Sequence, residues 1–410
     1  MKKYKLGELM EVTRGMSLSG EYYSTKGELM RLTLGNFDYH KNCFKEDKSK
    51  ENLYFTGEVK EGFILNKDDI VTPLTEQAIG LLGSTAKIPC SGKYIQSQDV
   101  GLIKCNDKLN PNYAFYLIPS KLVRKQLSVA AQQTKIRHTS PDKIKGCTVW
   151  IPEYDKQEKI GKLLSSLDDK IALNNRINAK LEQMAKRLYD YWFVQFDFPN
   201  TDGNPYKSSG GKMVWNEILK REIPDGWEVG ILSDIANITM GQSPEGSSYN
   251  EDGKGTIFYQ GSTDFGIRFP TVRMYTTEPT RFAKKGDILM SVRAPVGAVN
   301  IANTDCCIGR GLAALNSKIG SITHLWYLMD VFKHTFENKN AAGTTFGSIT
   351  KDELFNLPVV IPSNDVILAF NKKTLSIFNY QLSIEKETQK LTALRDRLLP
   401  LLMNGQVNVI

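Results

Sequence analysis

Apolar residues along this chain follow two rhythms, and each rhythm occurs twice. Through residues 1–152 and 231–362 they fall in short runs broken by Gly, Pro, Asn and Asp, the pattern of strands and turns in mixed α/β domains. After each stretch the apolar period changes to about 3.5. Ile160, Leu167, Leu181 and Leu188 lie at multiples of seven, as do Phe370, Ile377, Ile384, Leu391 and Leu398. Leu164, Ile171, Ala185 and Trp192 complete an a/d seam in the first stretch. Asn174 occupies the heptad position between Leu167 and Leu181, and Asn178 joins it; a buried Asn in such a seam fixes register at a cost in stability. The pattern predicts long helices over 153–198 and 363–410. The first stops at FDFPNTDGNP (Phe196–Pro205), which opens a linker over 199–230, and the second at Pro400. Each would span on the order of 55 Å, too long to stand alone, and the two seams most simply bury each other as an antiparallel pair.

The domains repeat in their wording as well as in their rhythm. TKIRHTSPDKIKGCTVWIP (Thr134–Pro152) runs parallel to TTFGSITKDELFNLPVVIP (Thr344–Pro362), at an offset of about 210 residues. GLIKCN (Gly101–Asn106) lies over GLAALN (Gly311–Asn316) at the same offset, and AFYLI (Ala114–Ile118) over HLWYL (His324–Leu328). KDDIV matches KGDIL further upstream, and LGELMEVTRG (Leu6–Gly15) matches LSDIANITMG (Leu232–Gly241). A repeat that occurs only twice at so long a period marks a tandem duplication with loop deletions.

Length, at roughly 150 residues per domain, agrees with two globular domains, and no apolar run is long enough to cross a bilayer. MKKYKLGELM lacks the apolar core of a signal peptide, so a cytoplasmic location is expected. The six cysteines form no CxxC pair and the four histidines no ligand spacing, which points to reduced thiols and to no metal site. ENLYFTG (Glu51–Gly57) reads as a strand. Net charge is +8, with an excess of 7 positive charges over residues 1–150 and none over 231–360. A basic surface of this kind suits a polyanion.

The wording resembles a known family. LSSLDDKIALNNRINAKLEQMAKRLYDYWFVQFDFP (Leu164–Pro199), YKSSGGKMVWNEILKREIPDGWEVG (Tyr206–Gly230), YQGSTDFGIRFP, GDILMSVRAPVGAVNIA and CCIGRGLAAL look like the central conserved region and a target recognition domain of type I restriction-modification specificity (S) subunits. The likeness covers nearly the whole chain, with the first domain more diverged. It implies an α+β fold in which two similar mixed α/β target recognition domains are held apart by two long helices forming an antiparallel coiled coil. Each domain would read one half of a bipartite site in double-stranded DNA. The helices would set the spacing and dock two methyltransferase (M) subunits, with restriction (R) subunits in the full complex and no membrane.

No P-loop, dinucleotide fingerprint or Asn-Pro-Pro-Tyr motif is present, so a non-catalytic chain without a cofactor is expected; GRGLAA (Gly309–Ala314) reads as a strand turn. Base edges and phosphates call for Arg, Lys, Asn, Gln and Ser on loops and strand ends. In the second domain these are Gln260, Ser262, Thr263, Asp264 and Arg268, with Arg273, Arg281, Arg293 and Arg310 as further forks. In the first they are Arg31, Asn36 and Lys41, beside Tyr39 and His40, and then Gln133, Lys135 and Arg137, beside Gln132 and His138. Two rival readings are a coiled-coil scaffold without DNA specificity and a standalone DNA-modifying enzyme. DNA affinity separates the first from a specificity subunit, and a cofactor motif would mark the second.

Overall fold

A computed structural model describes residues 1–76, 78, 80–130, 137–341 and 347–409, with backbone alone at 137, 334, 335 and 337–341. The chain divides into two compact units, residues 1–171 with 390–410, and residues 172–389. Each is mixed α/β and contains part of both long helices.

In the first unit the opening strand Lys2–Lys5 pairs antiparallel with Thr148–Ile151, so the domain closes on its own beginning. Between them lie two four-stranded sheets. One runs Ala86–Lys87, Ile70–Pro73, Val100–Cys105, Met10–Arg14, all antiparallel. The other runs Tyr94–Ile95, Leu29–Arg31, Tyr54–Phe55, Tyr23–Ser24, and its first pair is parallel. Val100–Cys105 begins with four buried residues, as a central strand covered on both faces should. ENLYFTG does supply a strand, Tyr54–Phe55.

The second unit repeats this plan. Glu228–Ile231 pairs with Pro358–Ile361, and Val299–Ile301, Ile288–Ser291, Leu312–Ser317, Ala236–Met240 form the matching sheet. Thr256–Tyr259 pairs parallel with Cys306–Ile308, as Leu29–Arg31 does with Tyr94–Ile95. The register corrects the repeat read from the sequence in two places. Arg14 faces Gly101 whereas Met240 faces Ala313, so the central strands correspond at 212 residues rather than 210. A slip of two keeps every side chain on its face of the strand, which is why apolar pattern alone did not detect it. The following helices begin at Pro111 and Ile322, which sets Tyr116 against Tyr327 and not Trp326. The repeated phrase before Ile-Pro is a capped helical turn. Ser140 Oγ accepts from Lys143 N at 3.2 Å, and Thr350 forms a reciprocal box with Glu353.

The long helices run Tyr154–Tyr189 and Asn364–Met403. In the first unit Ile160 and Leu164 join Leu402 and Met403 in one core; in the second, Ala185, Tyr189 and Trp192 join Phe370 and Phe378. Leu167, Leu181, Leu188, Ile377, Leu391 and Leu398 are half-buried, and Ile384 is buried. Asn174 and Asn178 are buried, and Asn174 Nδ2 donates to Glu387 Oε2 at 2.8 Å. Gln381 Nε2 donates to Asn178 O at 3.3 Å, so the helices run antiparallel within this unit. The second helix keeps a polar column at heptad spacing, and Thr374 and Thr388 satisfy their hydroxyls on their own helix, at Phe370 O and Ile384 O. It also continues through Pro400 to Met403, past the predicted stop. The first helix ends in a π turn over Asp190–Val194, and Phe196 has a φ of 65°. The stretch read as a linker is packed. Phe198 stacks on Tyr206 at 4.7 Å and on Trp227 at 4.8 Å, and Met213–Asn216 pairs with Arg221–Pro224 in a hairpin. Among the described residues no helix is long and apolar enough to cross a membrane, and no His/Cys/Asp/Glu group could hold a metal.

Candidate nucleic-acid interface

In the second domain the strands Ala236–Met240, Ile288–Ser291, Thr256–Tyr259 and Cys306–Ile308 all end at one edge, where Leu312–Ser317 begins. Backbone hydrogen bonds bind the turns there together. Gly241 N donates to Leu312 O at 2.9 Å, Gln242 N to Ile308 O at 3.0 Å, Gly309 N to Tyr259 O at 2.9 Å and Val292 N to Gly311 O at 2.9 Å. A Cβ on Gly241 would stand 2.1 Å from Gly309 O, so only glycine lets these turns meet. The exposed side chains brought to this edge include Gln242, Gln260, Arg281, Arg293 and Arg310; Ile308 N donates to Arg281 O at 2.9 Å, and Arg310 N donates to Ser243 Oγ at 3.3 Å. GRGLAA is the turn that carries Arg310.

The first domain builds the same edge. Gly15 N donates to Val100 O at 3.3 Å, Met16 N to Gln96 O at 3.1 Å, Leu32 N to Ile95 O at 3.0 Å and Leu74 N to Asp99 O at 2.8 Å. A Cβ on Gly15 would lie 2.3 Å from Gln96 O. A cavity of about 190 Å³ opens here, lined by Tyr23, Arg31, Thr33, Asp47, Ser49 and Asp99 among others. Thr33 Oγ1 donates to Asp47 Oδ2 at 2.5 Å, and Ser49 Oγ to Asp47 Oδ1 at 2.5 Å. Burial pushes the Asp47 carboxyl up, but the hydrogen bonds from Ser49 and Thr33 bring it below its ordinary value.

Several predicted contact residues turn out to build the loops rather than face outward. Asn36 is buried, with Oδ1 accepting from Thr33 N at 2.9 Å and Nδ2 donating to Lys45 O at 3.1 Å. Arg31 is buried too, its guanidinium 3.9 Å from the Tyr23 ring centroid and its Nη2 donating to Asn52 O at 3.2 Å. Asp264 accepts from Gln260 N at 3.2 Å and from Arg273 Nε at 2.8 Å, so Arg273 neutralises a loop-forming carboxylate. Arg268 departs furthest from the expectation: it is 3% exposed and paired with Glu182 of the first long helix. Gln260, Thr263, Arg293, Arg310 and Lys41 are exposed, Lys41 at the tip between Phe37–Asp38 and Cys43–Phe44, and Ser262 is half-buried. Gln133 and Lys135, with Gln132, lie outside the described residues. Arg137 is described through its backbone, which pairs with Glu76. Gln242 and Ser243 were missed, although the signal was present: they follow the glycine that ends the repeated word LSDIANITMG.

The family model for the type I restriction modification DNA specificity domain matches residues 1–183 and 224–394. The chain belongs to this family. It is 31% identical over 311 residues to the putative type I restriction enzyme MjaX specificity subunit of Methanocaldococcus jannaschii, covering 74% of this chain and 69% of that protein. It is 24% identical over 364 residues to the type I restriction enzyme HindI specificity subunit of Haemophilus influenzae, covering 72% and 77%. The crystal structure of the type I restriction-modification S subunit from M. genitalium shares the fold, with a TM-score of 0.64 at 16% identity over 98% of this chain and 95% of that one. The protein is thus a specificity subunit of a type I restriction-modification system, a non-catalytic DNA-binding component.

Proposed function

We propose that each globular domain reads one half of a bipartite DNA site, and that the two long helices set the distance between the halves and dock two methyltransferase subunits. The observation that carries this reading is the edge built twice, with the same glycine contact, three backbone hydrogen bonds at equivalent positions and polar side chains around them. A chain with two reading edges and two seam-forming helices has the parts of a two-point reader with a spacer. In the second domain Gln242, Gln260, Arg293 and Arg310 face DNA: Gln matches adenine N6/N7 and Arg matches guanine O6/N7 or phosphate. In the first, Lys41 and the strand ends around Gly15 and Thr33 do so.

The chain, co-expressed with its methyltransferase subunits, should direct methylation to one sequence of two short specific parts separated by an unread gap. Methylation sequencing of such cells tests this directly. Affinity of the purified complex should fall steeply with salt, because phosphate contacts release counterions. A complex whose methylation follows a single continuous site would refute two-part reading, and a chain that binds no DNA with its partners would support the scaffold alternative.

A further inference from the structure

In each unit a tyrosine of the globular domain donates its hydroxyl to a carboxylate on the first long helix, and an arginine completes the group. In the first unit Tyr116 Oη donates to Asp168 Oδ2 at 2.6 Å, and Arg395 Nη1 of the second helix donates to Asp168 Oδ1 at 2.8 Å. In the second unit Tyr327, the structural counterpart of Tyr116, donates to Glu182 Oε2 at 3.4 Å, and Gln381 Nε2 donates to the same oxygen at 3.0 Å. The arginine here does not come from a helix. It is Arg268, from the loop that follows Gln260–Asp264. Its guanidinium lies 5.0 Å from the Trp326 ring centroid and 5.4 Å from that of Phe378, so it crosses an apolar layer to reach Glu182.

The loop that carries Arg268 is tied to the candidate edge through Asp264 and Gln260, and along its length to the strand Val299–Ile301 of the same domain. Ile301 N donates to Arg268 O at 2.7 Å, and the buried Asn300 side chain exchanges two hydrogen bonds with the Gly266 backbone, each at 3.1 Å. Four residues before Arg268, Asp264 holds the Gln260 amide. The corresponding loop of the first domain, Thr33–Asn36, is instead fixed by Asp47 and Asn36 of its own domain. Both loops are closed by a short polar side chain of their own turn, Asn36 or Asp264, but the second also carries an arginine that reaches the long helix.

We propose that Arg268 is a positioning residue for the second half-site: through its pair with Glu182 it places the Gln260–Phe269 loop, so base discrimination by the second domain depends on a contact with the long helix, whereas that of the first domain does not. This rests on the proposed two-part reading. An arginine suits the task because its planar guanidinium stacks between rings and bonds a carboxylate at the far end, which a lysine cannot reproduce. Removing Glu182 alone would strand Arg268 as a buried charge, so the informative change removes both.

The test uses the full-length chain with its methyltransferase subunits and compares the unmodified protein with the double variant Arg268→Met, Glu182→Leu and the single variant Arg268→Lys. Methylation sequencing reads each half-site separately, thermal melting reads stability, and hydrogen exchange reads the Gln260 amide. The expected result for both variants is an unchanged first half-site and a loss of about tenfold or more in discrimination at one or more positions of the second, the scale of one misplaced base contact. Exchange at Gln260 should rise while the Ile288–Ser291 strand stays protected, a separation that a general loss of stability would not produce. Should the double variant fail to fold, Arg268→Lys retains the charge and carries the test. Unaltered second half-site discrimination in a folded variant overturns the inference while the two-part reading stands. An unmodified chain that directs no two-part methylation overturns both.

Discussion

At the scale of single residues, Arg293 and Arg310, exposed at the proposed second reading edge, can be told apart by the kind of loss each produces. Arg310 sits on a turn clamped between Gly241 and Gln260, and Arg293 at a strand end bridged to Ser348. Alanine at a residue that makes a bidentate base contact should cost about 1–3 kcal/mol and relax one base, while alanine at a phosphate contact weakens all sequences alike and lowers the salt slope by about one. Methylation profiles of Arg293→Ala and Arg310→Ala should therefore show at least one of the two losses. Original sites methylated at the original rate in both variants would remove these arginines from the interface. A second residue bears on stability. His324 is 2% exposed, against the Phe193 ring at 4.7 Å and Tyr189 at 5.7 Å, and burial pushes its pKa down to about 4. The folded state holds it neutral while the unfolded chain binds a proton below about pH 6.5, so stability falls as pH drops from 6.5 towards 4, by roughly 3 kcal/mol. Burial raises Glu385, whose contribution has the opposite sign: it is present at low pH and lost as pH rises through its raised value. Denaturant titrations across this window should show a loss of stability towards low pH in the parent that His324→Phe abolishes or, with Glu385 left, reverses. A slope unchanged in that variant would assign acid sensitivity elsewhere.

At the scale of elements, the sequence was informative wherever a period or a repeated word carried the signal. The heptads marked Ile160, Leu164, Phe370 and Ile384, which are buried, and Asn174, which bonds across the helix pair. The twin phrases before Ile-Pro marked two capped turns. What could not be read depends on partners distant in the chain. Arg268 lies in a Gly-containing polar loop, the usual setting of a DNA contact, and only Glu182, 86 residues earlier, shows that it points inward. Asn36 and Asp264 have the chemistry of base readers but close their own 3-10 turns, an equally good use of a short polar side chain. The composition at Phe196–Pro205 points to a helix end, and the helical turns stop at Val194. The aromatics of this stretch, Phe196 and Phe198, found Trp227 beyond the prolines, a pairing that no local pattern contains. The central strand slipped by two residues because alternation has that same period.

At the scale of the whole molecule, duplication gives each half a glycine-clamped strand edge and a helix, and the proposed function makes the edges the readers and the helix pair the ruler between the half-sites. Asn174 meets Glu387 and Glu182 meets Gln381 in the second unit, and Asp168 meets Arg395 in the first. The residues between those contacts, around 171–172 on the first helix and 389–390 on the second, are also where the compact units divide. Seven residues inserted after Ile171 and seven after Gln389 would leave every one of these contacts inside its own unit and keep the seam in phase. The added length is about 10.5 Å at 1.5 Å per residue. With about 34 Å for each turn of 10–10.5 base pairs, that corresponds to roughly three base pairs. The lengthened subunit should therefore methylate sites whose gap is about three base pairs longer, with the half-site sequences unchanged, at a reduced rate because the added base pairs also rotate one half-site around the duplex. Inserting in one helix alone should abolish activity, since the seam then has seven unpaired residues. A double insertion that methylates the original gap at the original rate would show that the helices do not set the spacing.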